Sequence, residues 1–169
     1  MINGSKNDFD EFIFVILFNN TISMDQSKQI LPAVAAAIFN DKGEILLQKR
    51  KDVNQWCIIS GHVEFGETIA AAIVREIEEE TNAKAAITRF IGVYSSPVSQ
   101  TYTYTGRTVQ YVTSYFEARL TSAIAPGFTN NETQELKFFA VNNIPEELAL
   151  INPHWLTDAL NKSAEVFIR

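Results

Sequence analysis

The 169-residue sequence predicts an α+β fold, a sandwich built around a mixed β-sheet. Three observations carry this. Short runs rich in β-branched and aromatic residues recur between turn signals. One segment, Thr68 to Thr81, switches to helical periodicity, with Ile69, Ile73 and Ile77 recurring at i+4 beside Ala70 and Val74. The resulting order of strands, helix, strands, helix is that of a layered mixed domain.

Taken in order, Val34–Phe39 and Glu44–Lys49 read as a hairpin around the turn Asn40-Asp41-Lys42-Gly43. Ala86–Tyr94 reads as a strand, and the polar, Tyr-bearing stretch Ser95–Gly106 as a loop. Arg107–Leu120 reads as a long strand through Val109, Tyr111, Val112, Tyr115 and Phe116. Thr121–Asn131 is a loop with the turn signal Pro126-Gly127, and Leu136–Val141 a short strand. Pro153–Phe167 closes the chain as a helix with Pro in its first turn. The division expected is an N-terminal accessory segment, residues 1–30, ahead of a domain over residues 31–169. The apolar run Phe12–Phe18 in that segment is expected to form an extra β-strand.

Composition narrows the function. A net charge of −6 offers no basic footprint for duplex nucleic acid. Seven apolar residues, Phe12 to Phe18, are too few to span a bilayer, so no membrane partner is expected. The single cysteine, Cys57, excludes an intramolecular disulfide and fits a reducing, cytoplasmic setting. It has no neighbouring base and is assigned no chemistry.

The chemistry concentrates in Ser60–Ala83. On a helix, Glu76, Glu79 and Glu80 share one edge, next to the arc of the isoleucines. Carboxylates so close raise one another's pKa unless a cation intervenes. Hard divalent cations, Mg²⁺ or Mn²⁺, seek such anionic oxygens, and Arg75 alone is too little charge for three carboxylates. Gly61 and Gly66 free the preceding loop to offer a backbone carbonyl at the helix start. Glu64 and Glu67 lie in that loop, and Glu67 stands about two helical turns before Arg75, within pairing reach.

Gly61, five residues, Glu67, seven residues, then Arg75-Glu76-Ile77-Glu78-Glu79-Glu80 resembles the signature of the Nudix hydrolases. A looser resemblance covers roughly residues 31–150. Two departures stand out. Asn82 replaces a usual Gly, and Asn is the next-best left-handed helix cap. Ile59-Ser60-Gly61 replaces Pro-Gly-Gly but keeps its last glycine.

The resemblance implies an α/β/α sandwich and a Mg²⁺- or Mn²⁺-dependent pyrophosphohydrolase. Its substrate is a nucleoside diphosphate linked to another group, a nucleoside triphosphate or a nucleotide-sugar such as ADP-ribose. It implies metal ligation by the Gly61 carbonyl, Glu76, Glu79 and Glu80, with Glu79 also a catalytic candidate. Glu67 and Arg75 are expected to pair and orient the helix. Of the two later carboxylates Glu132 and Glu135, Glu135 is preferred as general base because it adjoins the following strand. Arg50, His62 and Glu64 are the candidate substrate contacts, with Lys51 a further phosphate contact and Tyr102, Tyr104 and Tyr111 weighed for base stacking against burial in strands. Pro97 falls fourteen residues past Ala83, near the position where ADP-ribose-cleaving relatives carry a proline. The resemblance and the apolar N-terminal run point to a homodimer. The alternative function is a nucleotide-binding or sensing module of weak turnover on the same fold. An isoprenoid diphosphate isomerase fits less well, because Cys57 stands before the loop rather than in the cleft.

Overall fold

The computed structural model describes residues 27–169, so the strand expected at Phe12–Phe18 lies outside the described residues. Nine strands and three helices follow in the described part. β1 is Ser27–Ile38, β2 Ile45–Arg50, β3 Trp56–Cys57 and β4 Ile59–His62. The helix α1 spans Ile69–Thr81, then come β5 (Ala85–Tyr94), α2 (Pro97–Gln100), β6 (Thr101–Tyr104) and β7 (Arg107–Leu120). β8 (Thr133–Phe139), α3 (Trp155–Leu160) and β9 (Phe167–Ile168) complete the order. The boundary expected at residues 30 and 31 falls inside β1.

Two sheets form. The larger runs β4-β1-β7-β5-β9 with β6 paired to β7, and the smaller runs β3-β2-β8. β1 lies parallel to β7 along its whole length, Ser27 opposite Arg107 and Ile38 opposite Ala118. The larger sheet is therefore mixed. Alternation in β1 divides the interior. Ala35 and Ala37 face a core with Trp56, Tyr94, Tyr115 and Trp155 of α3. Val34, Ala36 and Ile38 face Ala72, Ile73 and Ile77 of α1. The sheet thus lies between α1 and α3, as the sequence predicts.

Three expectations change. Val34–Phe39 and Glu44–Lys49 do not form a paired hairpin. One bridge, Phe39 to Ile45, closes the turn, after which β1 and β2 enter different sheets. β7 occupies one edge of β1 and β4 part of the other, while β2 pairs with β8 and β3. Within Ser95–Gly106, α2 and β6 replace the expected loop, β6 pairing antiparallel with β7. The terminal helix stops at Leu160 rather than Phe167. Phe167 and Ile168 instead pair with Gly92 and Val93 of β5. Arg169 locks this end, its guanidinium donating to both carboxylate oxygens of Asp158 at 2.9 and 2.8 Å.

α1 is specified at both ends. The Thr68 hydroxyl accepts from the Ala71 N–H at 3.1 Å, an N-cap whose loss costs about 1 kcal/mol. Asn82 takes the left-handed conformation, φ +53°, and its N–H donates to the Glu78 carbonyl at 2.8 Å. Ala72, Ile73 and Ile77 are fully buried, each isoleucine contributing about 2 kcal/mol. Ile69, expected in the same stripe, is exposed at the first turn.

Candidate active site

α1 presents its three glutamates at graded depth. The side chain of Glu79 is 58% exposed, that of Glu76 13%, and Glu80 as a residue only 4%. With Asn130, Asn131 and Glu132 they line a cleft of about 200 Å³. Gly61, at the end of β4, presses against this edge. A Cβ built on Gly61 would lie 2.0 Å from Glu76 Cδ. Only glycine lets the backbone come so close to that carboxylate.

Arg75 ties loop to helix. Its Nε and Nη2 donate to Glu67 at 3.2 and 2.8 Å, the expected pair. Its Nη1 reaches Glu76 Oε1 at 2.9 Å and Glu79 Oε2 at 3.0 Å, and Nη2 also reaches the His62 carbonyl at 3.0 Å. These are all five donors of the guanidinium. Glu67 Oε1 also accepts from the Glu64 N–H at 2.7 Å, closing the loop. Arg75 holds the Glu67 carboxyl below its usual range.

Electrostatics follow burial. Burial pushes the Glu80 carboxyl up to about 8, with the Glu76 charge adding to the shift and Arg50 opposing it. Burial also raises Glu76, against the pull of Arg75. Glu80 Oε2 is buried without a hydrogen-bond partner, although buried polar atoms are normally satisfied. Hard oxygen donors, one of them orphaned, beside a backbone admitted by glycine fit a divalent cation held by Glu76, Glu79, Glu80 and the Gly61 carbonyl. Among the described residues no three acidic, histidine or cysteine side chains are already gathered at metal-binding geometry. Arg75 holds one oxygen each of Glu76 and Glu79.

The remaining candidates separate. Arg50 forms a bidentate pair with Asp52 at 3.0 and 2.9 Å, yet its charge is felt at Glu80. Lys51 Nζ is bonded to the Asn130 carbonyl at 2.6 Å. Glu64 is exposed in the loop. His62 Nε2 lies 2.9 Å from the Tyr111 hydroxyl, which is 3.4 Å from that of Tyr104. Tyr102 donates to the Leu150 carbonyl at 2.9 Å. Glu135 sits exposed on β8, opposite Lys49, while Glu132 from the preceding loop lines the cleft.

Three polar residues that sequence reasoning passed over complete the surroundings. Asn130 Nδ2 donates to the Glu79 carbonyl at 2.8 Å, and its Oδ1 accepts from the backbone of Glu132 and Thr133 at 2.9 and 2.6 Å. The Thr133 hydroxyl donates to the Glu80 carbonyl at 3.1 Å and accepts from Gln48 Nε2 at 2.8 Å. A helix end leaves its last carbonyls without intrahelical partners, and here the loop residue Asn130 and the first residue of β8, Thr133, supply two. Gln48 had a sequence signal: it shares the alternation of buried Leu46, a polar residue at an inward position.

Comparison with known proteins agrees with this geometry. The chain is 48% identical over 63 residues to a putative 8-oxo-dGTP diphosphatase of Bacillus subtilis, covering 37% of this chain and 42% of that protein. It is 34% identical over 119 residues to an ADP-ribose pyrophosphatase of Methanocaldococcus jannaschii, covering 68% of this chain and 66% of that protein. The matches thus span less than two thirds of either relative. A crystal structure of a UDP-X diphosphatase superposes with a TM-score of 0.65 at 26% identity, over 91% of this chain and 70% of that one. A MutT protein from Methanosarcina mazei shares the fold with a TM-score of 0.63 at 22% identity, over 80% of this chain and 98% of that one. No helix among the described residues is long and apolar enough to cross a membrane. Residues 29–159 match the NUDIX domain model, and the chain belongs to that family.

Proposed function

We propose that this protein is a divalent-cation-dependent pyrophosphohydrolase acting on a nucleoside diphosphate linked to another group. The observation that carries the reading is the buried, unpartnered Oε2 of Glu80, flanked by Glu76 and Glu79 and backed by Gly61. Glu76, Glu79, Glu80 and the Gly61 carbonyl hold Mg²⁺ or Mn²⁺. The bound cation supplies charge neutralisation at the diphosphate and an acidified water. Arg75 and Glu67 fix the helix against the loop so that the carboxylates keep their spacing. Glu132, already on the cleft wall, takes the role of proton acceptor assigned from sequence to Glu135. Arg50, whose charge is felt at Glu80, would contact phosphate by exchanging its Asp52 partner for a phosphate oxygen. Water attacks one phosphorus in line and the other phosphate leaves, so the protein contributes chiefly position and field.

The substrate class is a nucleotide-sugar such as ADP-ribose or a nucleoside triphosphate, the compounds named in the matched relatives. A homodimer and a cytoplasmic setting complete the reading, supported by the apolar N-terminal run and the one cysteine. The rival, a nucleotide-binding module of weak turnover, draws support from Arg75, which holds Glu76 and Glu79 through its own charge. The deciding experiment is a hydrolysis panel of nucleoside triphosphates, oxidised nucleotides and nucleotide-sugars, with Mg²⁺, Mn²⁺ or EDTA. Cation-dependent phosphoanhydride cleavage of one class supports the enzyme. Tight nucleotide binding with no product across the panel supports the module.

A further inference from the structure

We propose that Asn131 contacts the substrate itself, its side-chain amide donating to a phosphate oxygen of the diphosphate. This contact rests on the cation-dependent hydrolase reading given above and adds a substrate-binding residue to it.

The cleft is rich in acceptors and poor in donors. Four of its six lining residues are glutamates, and an ionised carboxylate offers only acceptor oxygens. The positive side chains around it are engaged elsewhere. All five Arg75 donors have partners, Lys51 Nζ holds the Asn130 carbonyl, and Arg50 is paired with Asp52. The Asn130 side chain is committed to backbone groups, donating to the Glu79 carbonyl and accepting from the N–H groups of Glu132 and Thr133. Asn131 is left. It is exposed, it lines the cleft, and its amide has no hydrogen-bond partner among the described residues. An amide brings two N–H donors.

The backbone beneath this side chain is held while the side chain is free. Lys51 grips the chain on both sides of Asn131, its N–H donating to the Glu132 carbonyl at 2.8 Å and its Nζ to the Asn130 carbonyl at 2.6 Å. A donor on a fixed backbone at the wall of a cleft is already positioned for its ligand, and binding has only its own side-chain torsions to order. The residue type fits the surroundings. A lysine or arginine here would pair with the neighbouring carboxylates, as Arg75 does with Glu76 and Glu79, and would compete with the cation. A neutral amide gives hydrogens to a phosphate oxygen and leaves the carboxylates to the metal.

The test is a calorimetric titration of the purified full-length protein with methylenediphosphonate, a diphosphate whose carbon bridge resists hydrolysis, at saturating Mg²⁺. Mn²⁺ affinity without the diphosphonate is read in parallel by electron paramagnetic resonance. Asn131→Leu, which keeps the size and removes both donors, should weaken the diphosphonate by roughly tenfold or more, as for a hydrogen bond to a charged group. Asn131→Asp, which keeps the shape and when ionised can only accept, should weaken it at least as much. Mn²⁺ affinity of Asn131→Leu should equal that of wild type. Native diphosphonate affinity in either folded variant overturns the donor role, since neither leucine nor an ionised aspartate supplies the hydrogen. A loss of Mn²⁺ affinity in Asn131→Leu overturns it as well, and makes the side chain a cation ligand instead. Wild type that takes up no methylenediphosphonate with Mg²⁺ contradicts the hydrolase reading itself, and the Asn131 contact with it.

Discussion

The side-chain amide of Asn130 donates to the Glu79 carbonyl across 2.8 Å, which fastens the loop before β8 to the helix that carries the carboxylates. Its Oδ1 gathers the N–H groups of Glu132 and Thr133 at the same time. Asn130 therefore sets how Glu132 faces the cleft. Asn130→Ala should free this loop and lower kcat by about tenfold, with KM little changed. Amide hydrogen exchange across residues 128–133 should quicken in the variant. Unchanged exchange and rate would show that Lys51, which also holds this loop through the Asn130 and Glu132 carbonyls, suffices.

Arg75 uses five donors on four residues, a pattern that lysine, with three donors on a single nitrogen, cannot reproduce. Arg75→Lys should cost more than tenfold in turnover while leaving the charge count intact. A screen of melting temperature and steady-state rate separates the outcomes. A fall in rate far beyond any fall in melting temperature supports an orienting role, and parallel falls indicate a loss of fold.

Gly61→Ala places a methyl group 2.0 Å from Glu76 Cδ. The atom it meets is the end of a flexible side chain, so Glu76 swings away and the fold survives. Mn²⁺ affinity should fall by tenfold or more with a native circular dichroism spectrum, since a ligand is displaced. Native affinity in a folded Gly61→Ala protein would remove Glu76 from the ligand set.

Glu80 gives stability a pH dependence of definite sign. Its folded pKa, about 8, lies above the ordinary glutamate value of 4.5. Between those values the folded state holds a proton that the unfolded state has released, so metal-free stability falls as pH rises through this window. The slope approaches about 1.4 kcal/mol per pH unit at most. Denaturant titrations in EDTA at pH 5, 6.5 and 8 should show this decline, and Glu80→Gln should flatten it. Mg²⁺ should then stabilise wild type more at pH 8 than at pH 6, because binding requires the ionised carboxylate.

The helix and its C-terminal cap were legible because local sequence decides them. The isoleucine period and the Asn82 cap each act within a few residues, whereas the capping role of Thr68 comes from the structure. The Gly61, Glu67 and Arg75 spacing is equally local, and Arg75 does meet Glu67. What escaped depends on partners distant along the chain. Nothing in Pro32–Arg50 tells that β7, some eighty residues on, takes the edge of β1 expected for β2. Nothing in Phe167–Arg169 tells that β5 offers an edge and Asp158 a carboxylate, so the sequence alone extends the terminal helix to Phe167. Glu135, expected just before the short strand, lies within β8 itself. Its backbone register opposite Lys49 leaves Glu132, held by Asn130, at the cleft.

The most direct test of the central claim is the steady-state turnover of purified Glu80→Gln with Mg²⁺, on whichever nucleotide wild type cleaves. A folded variant with kcat lowered by about a thousandfold or more, matched by wild type in EDTA, is the result predicted for a carboxylate that holds the cation at the diphosphate. Near-normal turnover by folded Glu80→Gln would contradict it.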